Sequence, residues 1–123
     1  MGCKIEEFQQ DQKKKMRAVQ DSMDVLSGKW KISIISSICC YGKRRFSDIV
    51  NDVIGISNRM LSKELKELEI NQLVKRTVLD TQPITVQYEL TEHGNTLHTI
   101  INNLSDWGIA HRKKIVGESV LSR

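Results

Sequence analysis

Gly55-Ile56-Ser57-Asn58-Arg59-Met60-Leu61-Ser62-Lys63-Glu64-Leu65-Lys66-Glu67-Leu68-Glu69, followed shortly by Leu73-Val74-Lys75-Arg76-Thr77-Val78-Leu79, is the stretch that decides the fold, because its period changes midway. In the first part Leu61, Leu65 and Leu68 share one helical stripe, while Arg59, Lys63 and Lys66 stand nearly opposite. Gly55-Ile56 breaks the chain ahead of it. Ser57 suits the N-cap, where its side-chain oxygen can accept from the free amides of the first turn. The pattern predicts a helix from Ser57 to about Asn71. In the second part Val74, Arg76 and Val78 alternate with Lys75, Thr77 and Leu79, a strand rich in β-branched residues. Asp80-Thr81-Gln82-Pro83 reads as a turn, and Ile84 to Leu90 alternates again, which makes a hairpin.

Upstream, Met16, Val19, Met23 and Leu26 recur at helical spacing and Gly28 is a plausible stop, so a first helix is expected at about 16–27. Trp30, Ile32, Ile34, Ile35, Ile38 and Cys39 cover most of the circumference of a second helix, which should be the buried one. Lys43-Arg44-Arg45-Phe46 reads as an extended link to a third helix starting near Ser47, with Ile49, Val50 and Val53 inward. Downstream, Thr91 is placed to cap a last helix, with His93 in its first turn and Leu97, Ile100, Ile101, Leu104 and Trp107 in one stripe.

A basic-faced helix closing a helical run and leading into a hairpin is the element order of a winged helix-turn-helix. The expected fold class is mainly α with a small β-hairpin wing (α+β), dimerising through its N- and C-terminal helices. In such a fold the basic-faced helix enters the major groove, about 12 Å wide, and the hairpin lies on the neighbouring backbone or minor groove. Ser57, Asn58, Arg59, Ser62 and Lys63 then face the bases, and Arg59 is the first choice for readout because a guanidinium binds guanine O6 and N7 together. Lys43, Arg44, Arg45, Lys66, Lys75 and Arg76 are expected on phosphates, which set affinity and register without carrying sequence, and Gln82 belongs to the wing tip. The stripe of Leu97, Ile100, Ile101, Leu104 and Trp107, joined by Val19 and Met23, is too apolar to stay bare. A homodimer burying it would set two recognition helices roughly 34–36 Å apart, on a pseudo-palindromic operator in double-stranded DNA.

Composition narrows the alternatives. With 123 residues the chain fits one domain, expected over residues 16–114, with a flexible polar and basic arm at 1–15 and a C-terminal tail at 115–123. No apolar run approaches a membrane span and no secretory signal is visible, so a cytoplasmic location is expected. The net charge of +4 suits an anionic partner. Cys3, Cys39 and Cys40 are an odd set without a disulfide pattern; Cys39 falls within the apolar arc as a small buried hydrophobe, whereas Cys40 projects outside it and is the more reactive candidate. His93, His98 and His111 are not spaced as metal ligands, and no glycine-rich phosphate loop or Cys-x-x-Cys occurs, so no enzyme, metal or cofactor is expected. The competing readings are a winged helix that binds protein, and a thiol-based sensor using Cys40 or Cys3. An unknown small-molecule effector seated between dimerising helices and DNA-binding lobe fits either regulator.

The segments Asp24 to Trp30, Arg45 to Ile49, Gly55 to Glu69, Leu73 to Arg76 and Tyr88 to Gly94 together resemble the HxlR family of MarR-like winged-helix regulators. The likeness runs from about residue 19 to 108. It implies a bacterial regulator, a homodimer built on the first and last helices, and a recognition helix beginning at Ser57. One departure stands out: where thiol-sensing members carry a cysteine ahead of the first helix, this chain has Arg17.

Overall fold

The computed structural model describes residues 2–117, with side chains from Lys4 onward. Helix α1 (Gly2–Val25) is longer than the apolar period suggests and takes in the expected arm. The reason is composition: residues 4–15 are mostly Glu, Gln and Lys, strong helix formers, with no Gly or Pro, and Asp11 pairs with Lys15 one turn on at 3.3 Å. A helix needs no apolar stripe when its residues favour it, so the first helix starts some four turns before Met16. The Cys3 side chain and residues 118–123 of the expected tail lie outside the described residues.

Helix α2 (Lys31–Tyr41) runs through the centre, with Ile34, Ile35 and Ile38 fully buried, and ends at Gly42. Strand β1 (Lys43–Arg45) leads directly into α3 (Phe46–Asp52), which turns on Gly55 at φ +91°, a conformation that glycine adopts without strain. Helix α4 (Asn58–Ile70) follows, then strands β2 (Val74–Leu79) and β3 (Thr85–Leu90), the short α5 (Glu92–Asn95) and α6 (Leu97–Val116). Three strands form one antiparallel sheet in the order β1-β3-β2. The expected link at Lys43–Arg45 is thus a third strand, pairing Arg44 with Tyr88 across the hairpin's second strand. Three charged residues have no alternation to read; only the partner strand reveals them.

Leu61, Leu65 and Leu68 of α4 meet the α2 isoleucines, Ile49, Val53 and Ile56, and Leu73, Val74 and Tyr88 close the core. Burying each such large side chain contributes about 1.5–3 kcal/mol. The angle between α4 and the wing is set by the turn at residues 71–73. Gln72 N–H donates to Glu69 O and Leu73 N–H to Leu68 O, both at 3.0 Å, with Gln72 left-handed at φ 61°, a helix stop that also packs Leu73 under Leu68. Thr91 ties this turn to the last helices: its hydroxyl donates to Gln72 O at 2.6 Å and accepts from Gly94 N–H at 2.9 Å, while its N–H donates to Leu73 O at 3.0 Å. Gly94 lies so near that a Cβ built on it would overlap the Leu73 carbonyl. The single last helix expected from Thr91 is therefore two pieces, since Thr96 N–H reaches back to His93 O at 3.1 Å, a tighter turn that interrupts the regular ladder.

The terminal helices differ from this centre. Among the described side chains neither α1 nor α6 contains a fully buried residue, although Leu97 and Ile101 rest against the core. Val19, Met23, Ile100, Leu104 and Trp107 are exposed in the chain taken alone.

Candidate nucleic-acid interface

Ser57 caps α4 as its position suggests, its hydroxyl accepting from Met60 N–H at 3.1 Å. With the leucines locked inward, Asn58, Arg59, Ser62, Lys63 and Lys66 are all exposed on the outer side. Among the described residues none of Arg59, Lys63, Lys66, Lys75 and Arg76 takes part in an ion pair, so each presents its charge to solvent. Arg76 sits on the same strand face as Val74 and Tyr88, and meets Ser62, Lys66 and the acid Glu69 in one cleft of about 270 Å³. Helix and wing base therefore bring their cations together. Lys75, next on the strand, projects to the other face opposite Glu89, away from that cleft. Gln82 lies exposed at the hairpin tip, where Asp80 is its charged neighbour and the Thr81 hydroxyl bonds to Pro83 O at 2.7 Å. The tip carries polar groups and an acid, so the wing's positive charge is at its base.

Arg44 and Arg45 are placed differently from the other cations. The half-buried Arg44 guanidinium is bonded to Asp52 through both Nε and Nη2, is 3.9 Å from Asp48 and lies over the Tyr41 ring at 3.9 Å. The Asp52 carboxylate also accepts from the Ser37 hydroxyl at 2.7 Å. These hydrogen bonds, from Ser37 and then from Arg44, hold Asp52 below the usual carboxylate range, and Asp52 in turn raises Arg44 above its ordinary value. Arg45 is exposed and bonds to Asp48 at 3.2 Å, while its backbone N–H donates to the same carboxylate at 3.1 Å, capping α3; Asp48 is lowered by the Arg45 side chain first. Arg44 is thus part of the scaffold, and Arg45 reaches outward only by leaving Asp48.

Two features escaped the sequence reading. The first is a buried ion cluster behind α4, where Lys31 Nζ lies 2.5 Å from both Glu64 and Glu67. Burial pulls the ammonium down, but the two carboxylates outweigh it and leave Lys31 above its ordinary value, while Glu67 is lowered by the Lys31 hydrogen bond. A signal existed: Glu64 shares the stripe of Leu61, Leu65 and Leu68, and an inward carboxylate needs a cation. The second joins α2 to α6. Cys39, expected as a buried hydrophobe, is half-exposed with Sγ 2.9 Å from His98 Nδ1, and His98 Nε2 is 3.2 Å from Asn102 Nδ2. Cys40 is exposed beside it, as its projection outside the apolar arc suggests.

The profile of the HxlR-like helix-turn-helix family matches residues 25–116. An uncharacterized HTH-type transcriptional regulator of Bacillus subtilis, YtcD, is 33% identical over 109 residues, covering 89% of this chain and 86% of its own. Among solved structures, the redox regulator HypR in its reduced form is 36% identical with a TM-score of 0.74, covering 80% of this chain and 96% of that one. The reduced transcriptional regulator YodB of B. subtilis is 35% identical with a TM-score of 0.64, covering 72% and 85%. With the winged architecture and the exposed basic face of α4, these likenesses have one reading: the chain belongs to the HxlR-like helix-turn-helix family of transcriptional regulators.

Proposed function

We propose that this regulator binds a pseudo-palindromic site in duplex DNA as a cytoplasmic homodimer, with α4 in the major groove and the wing base on the adjoining backbone. The observation that carries this reading is the division of α4 into a leucine face locked in the core and an outer face offering Arg59, Lys63 and Lys66 without ion-pair partners among the described residues. A winged helix serving as a protein-binding module has no use for such a face. Lys66 and Arg76, sharing a cleft with Glu69, suit the phosphates; Lys63, on the same outer face of α4, is assigned to phosphate here and not to the bases, and Arg59, near the cap, suits base readout. The dimer is supported by Ile100, Leu104 and Trp107, which the chain leaves uncovered, with Trp107 stacked on His111 at 4.7 Å. Among the described residues no helix is long and apolar enough to cross a membrane. The test is anisotropy titration of labelled duplex at two salt concentrations. Arg59→Ala with Lys63→Ala, folded by circular dichroism, should weaken binding by about tenfold or more, with a shallower salt dependence. Unchanged binding by that variant rules the interface out.

A second reading is favoured by the Cys39–His98 contact. An adduct on Cys39 would separate the pair and shift α6 against α2, linking thiol chemistry to the dimerising helix. HypR is described as a redox regulator, and YodB has been solved in a diamide-treated form. Of the two described thiols, Cys39 has the partner and Cys40 does not. Treatment with a maleimide should alter DNA binding in the wild type and in Cys40→Ser but not in Cys39→Ser; loss of the effect only in Cys40→Ser returns the role to the exposed thiol.

A further inference from the structure

Helix α4 reaches DNA with a handicap, because Arg59, Lys63 and Lys66 are matched one for one by Glu64, Glu67 and Glu69. Two of those three acids are held by a single residue that no duplex can touch. Lys31, 5% exposed at the start of α2, places Nζ between Glu64 and Glu67 and also lies 3.4 Å from Ser27 O. Glu64 is buried, so its charge is hidden. Glu67 is not: its side chain is 41% exposed and it stands one helical turn from Lys63, close enough to stabilise its own ionised form through that lysine. Released from Lys31, Glu67 would be free to pair with Lys63 across the turn and draw it from the phosphates.

We infer that Lys31 is a positioning residue for DNA binding: by holding Glu67 against α2 it keeps Lys63 available for phosphate and masks the acid charge of the recognition helix. This rests on the DNA-binding reading above and adds a member to it that touches no nucleotide. Lys63 has no ion-pair partner within range among the described residues, although Glu67 is its neighbour at i+4, which is the arrangement the inference requires. The lysine also sits at a buried position of a helix whose other buried members are Ile34, Ile35, Ile38 and the hydrogen-bonded Ser37, so it is the one buried charge on α2.

The test is a cycle built on Glu64→Gln, so that removing Lys31 leaves no buried carboxylate behind; the member that keeps Lys31 without either acid is the least stable, and all are assayed at a temperature where that member is folded. Lys31→Met and Glu67→Gln are combined on that background, checked by circular dichroism, and titrated against a duplex enriched by the wild-type chain from a randomised library and against a mixed-sequence duplex. With Lys31 present, Glu67→Gln should change affinity by less than about twofold; with Lys31→Met it should tighten binding roughly fivefold on both duplexes, the effect of a freed phosphate contact. The slope of log affinity against log salt should fall by about one in the Lys31→Met protein that keeps Glu67, and return on Glu67→Gln. An equal effect of Glu67→Gln with and without Lys31, or a slope that does not move, overturns the inference. Lys63→Ala serves as the reference. If it weakens binding while the cycle shows no coupling, this inference alone fails; if it changes neither affinity nor slope, the DNA-binding reading fails with it.

Discussion

Two helices of this molecule carry nearly the same apolar pattern and come to opposite ends. On α4, Leu61, Leu65 and Leu68 are 0%, 1% and 0% exposed; on α6, Ile100, Leu104 and Trp107 are 49%, 50% and 65% exposed. Spacing decides which residues share a side of a helix, and nothing more. What covers that side is decided by neighbours. Helix α4 lies between α2 and the sheet, whereas α6 meets the lobe in its first turns, where Leu97 and Ile101 rest on the core and His98 reaches Cys39 of α2, and residues 102–115 are exposed. An uncovered stripe of this length, ending in a tryptophan, is the kind of surface that a second copy removes from water.

The largest expected effects test that contrast directly. Leu65→Ala should cost about 2–5 kcal/mol in urea denaturation, by lost transfer energy and the cavity left behind, with no change in self-association. Leu104→Ala should barely affect the folding of the lobe but shift the monomer–dimer midpoint in sedimentation to higher concentration, and its apparent stability should depend on protein concentration. If Leu104→Ala proves as destabilising as Leu65→Ala and leaves association unchanged, the two helices are alike after all. Gly94→Ala belongs with the core, since its added methyl meets the Leu73 carbonyl; a loss of about 3 kcal/mol is expected, with the wing displaced relative to α4.

The outer face of α4 gives the next effect in size. Arg59→Ala should lose about 1–3 kcal/mol on a selected duplex and relax preference at one base pair, while Lys66→Ala should weaken all duplexes alike and lower the salt slope by about 1. The same substitution at Arg44 should act through stability, because its guanidinium is spent on Asp52 and Tyr41. A uniform loss of DNA affinity in a fully stable Arg44→Ala protein would move it from scaffold to interface.

The contrast also explains how much was legible in the sequence. The lobe could be read because its signals are local and mutually consistent: Ser57 caps, Leu61, Leu65 and Leu68 share a stripe, and the period changes at Val74. The basic face followed from the same projection, and Arg59, Lys63 and Lys66 are exposed where it put them. What escaped were partners distant in sequence. Arg44 is a cation like any other until Asp52 and Ser37 surround it, β1 is a strand only because β3 lies beside it, and Lys31 finds its acids on another helix. Helix α1 was missed in its first half for a different reason, since its propensity is high where its apolar period is weak.

A smaller effect, opposite in sign, comes from the turn that fixes the wing. Gln72 holds a left-handed conformation that disfavours a side chain, so Gln72→Gly should stabilise the lobe by up to about 1 kcal/mol in thermal melts while leaving the dimer midpoint alone. A destabilised Gln72→Gly protein would mean that the glutamine side chain contributes more than its backbone angle costs.

The least of the expected effects is acid sensitivity, and it should belong to the lobe and not to the terminal helices. Asp52 is held below its ordinary value by the Ser37 and Arg44 hydrogen bonds, and Asp48 likewise by Arg45. A carboxylate depressed by folding contributes stability that is fully present above its unfolded value, near pH 4, and is lost as the pH falls through the lower value it has in the folded chain. Both groups are at the surface, so the contribution is screened and modest. Thermal midpoints of the wild type and of Asp52→Asn should therefore differ most at neutral pH and converge as the pH drops below about 4. If instead the Asp52→Asn and wild-type curves run parallel down to acid, the Arg44–Asp52 pair is not part of what holds α3 to α2, and Arg44 is available to the DNA-facing surface.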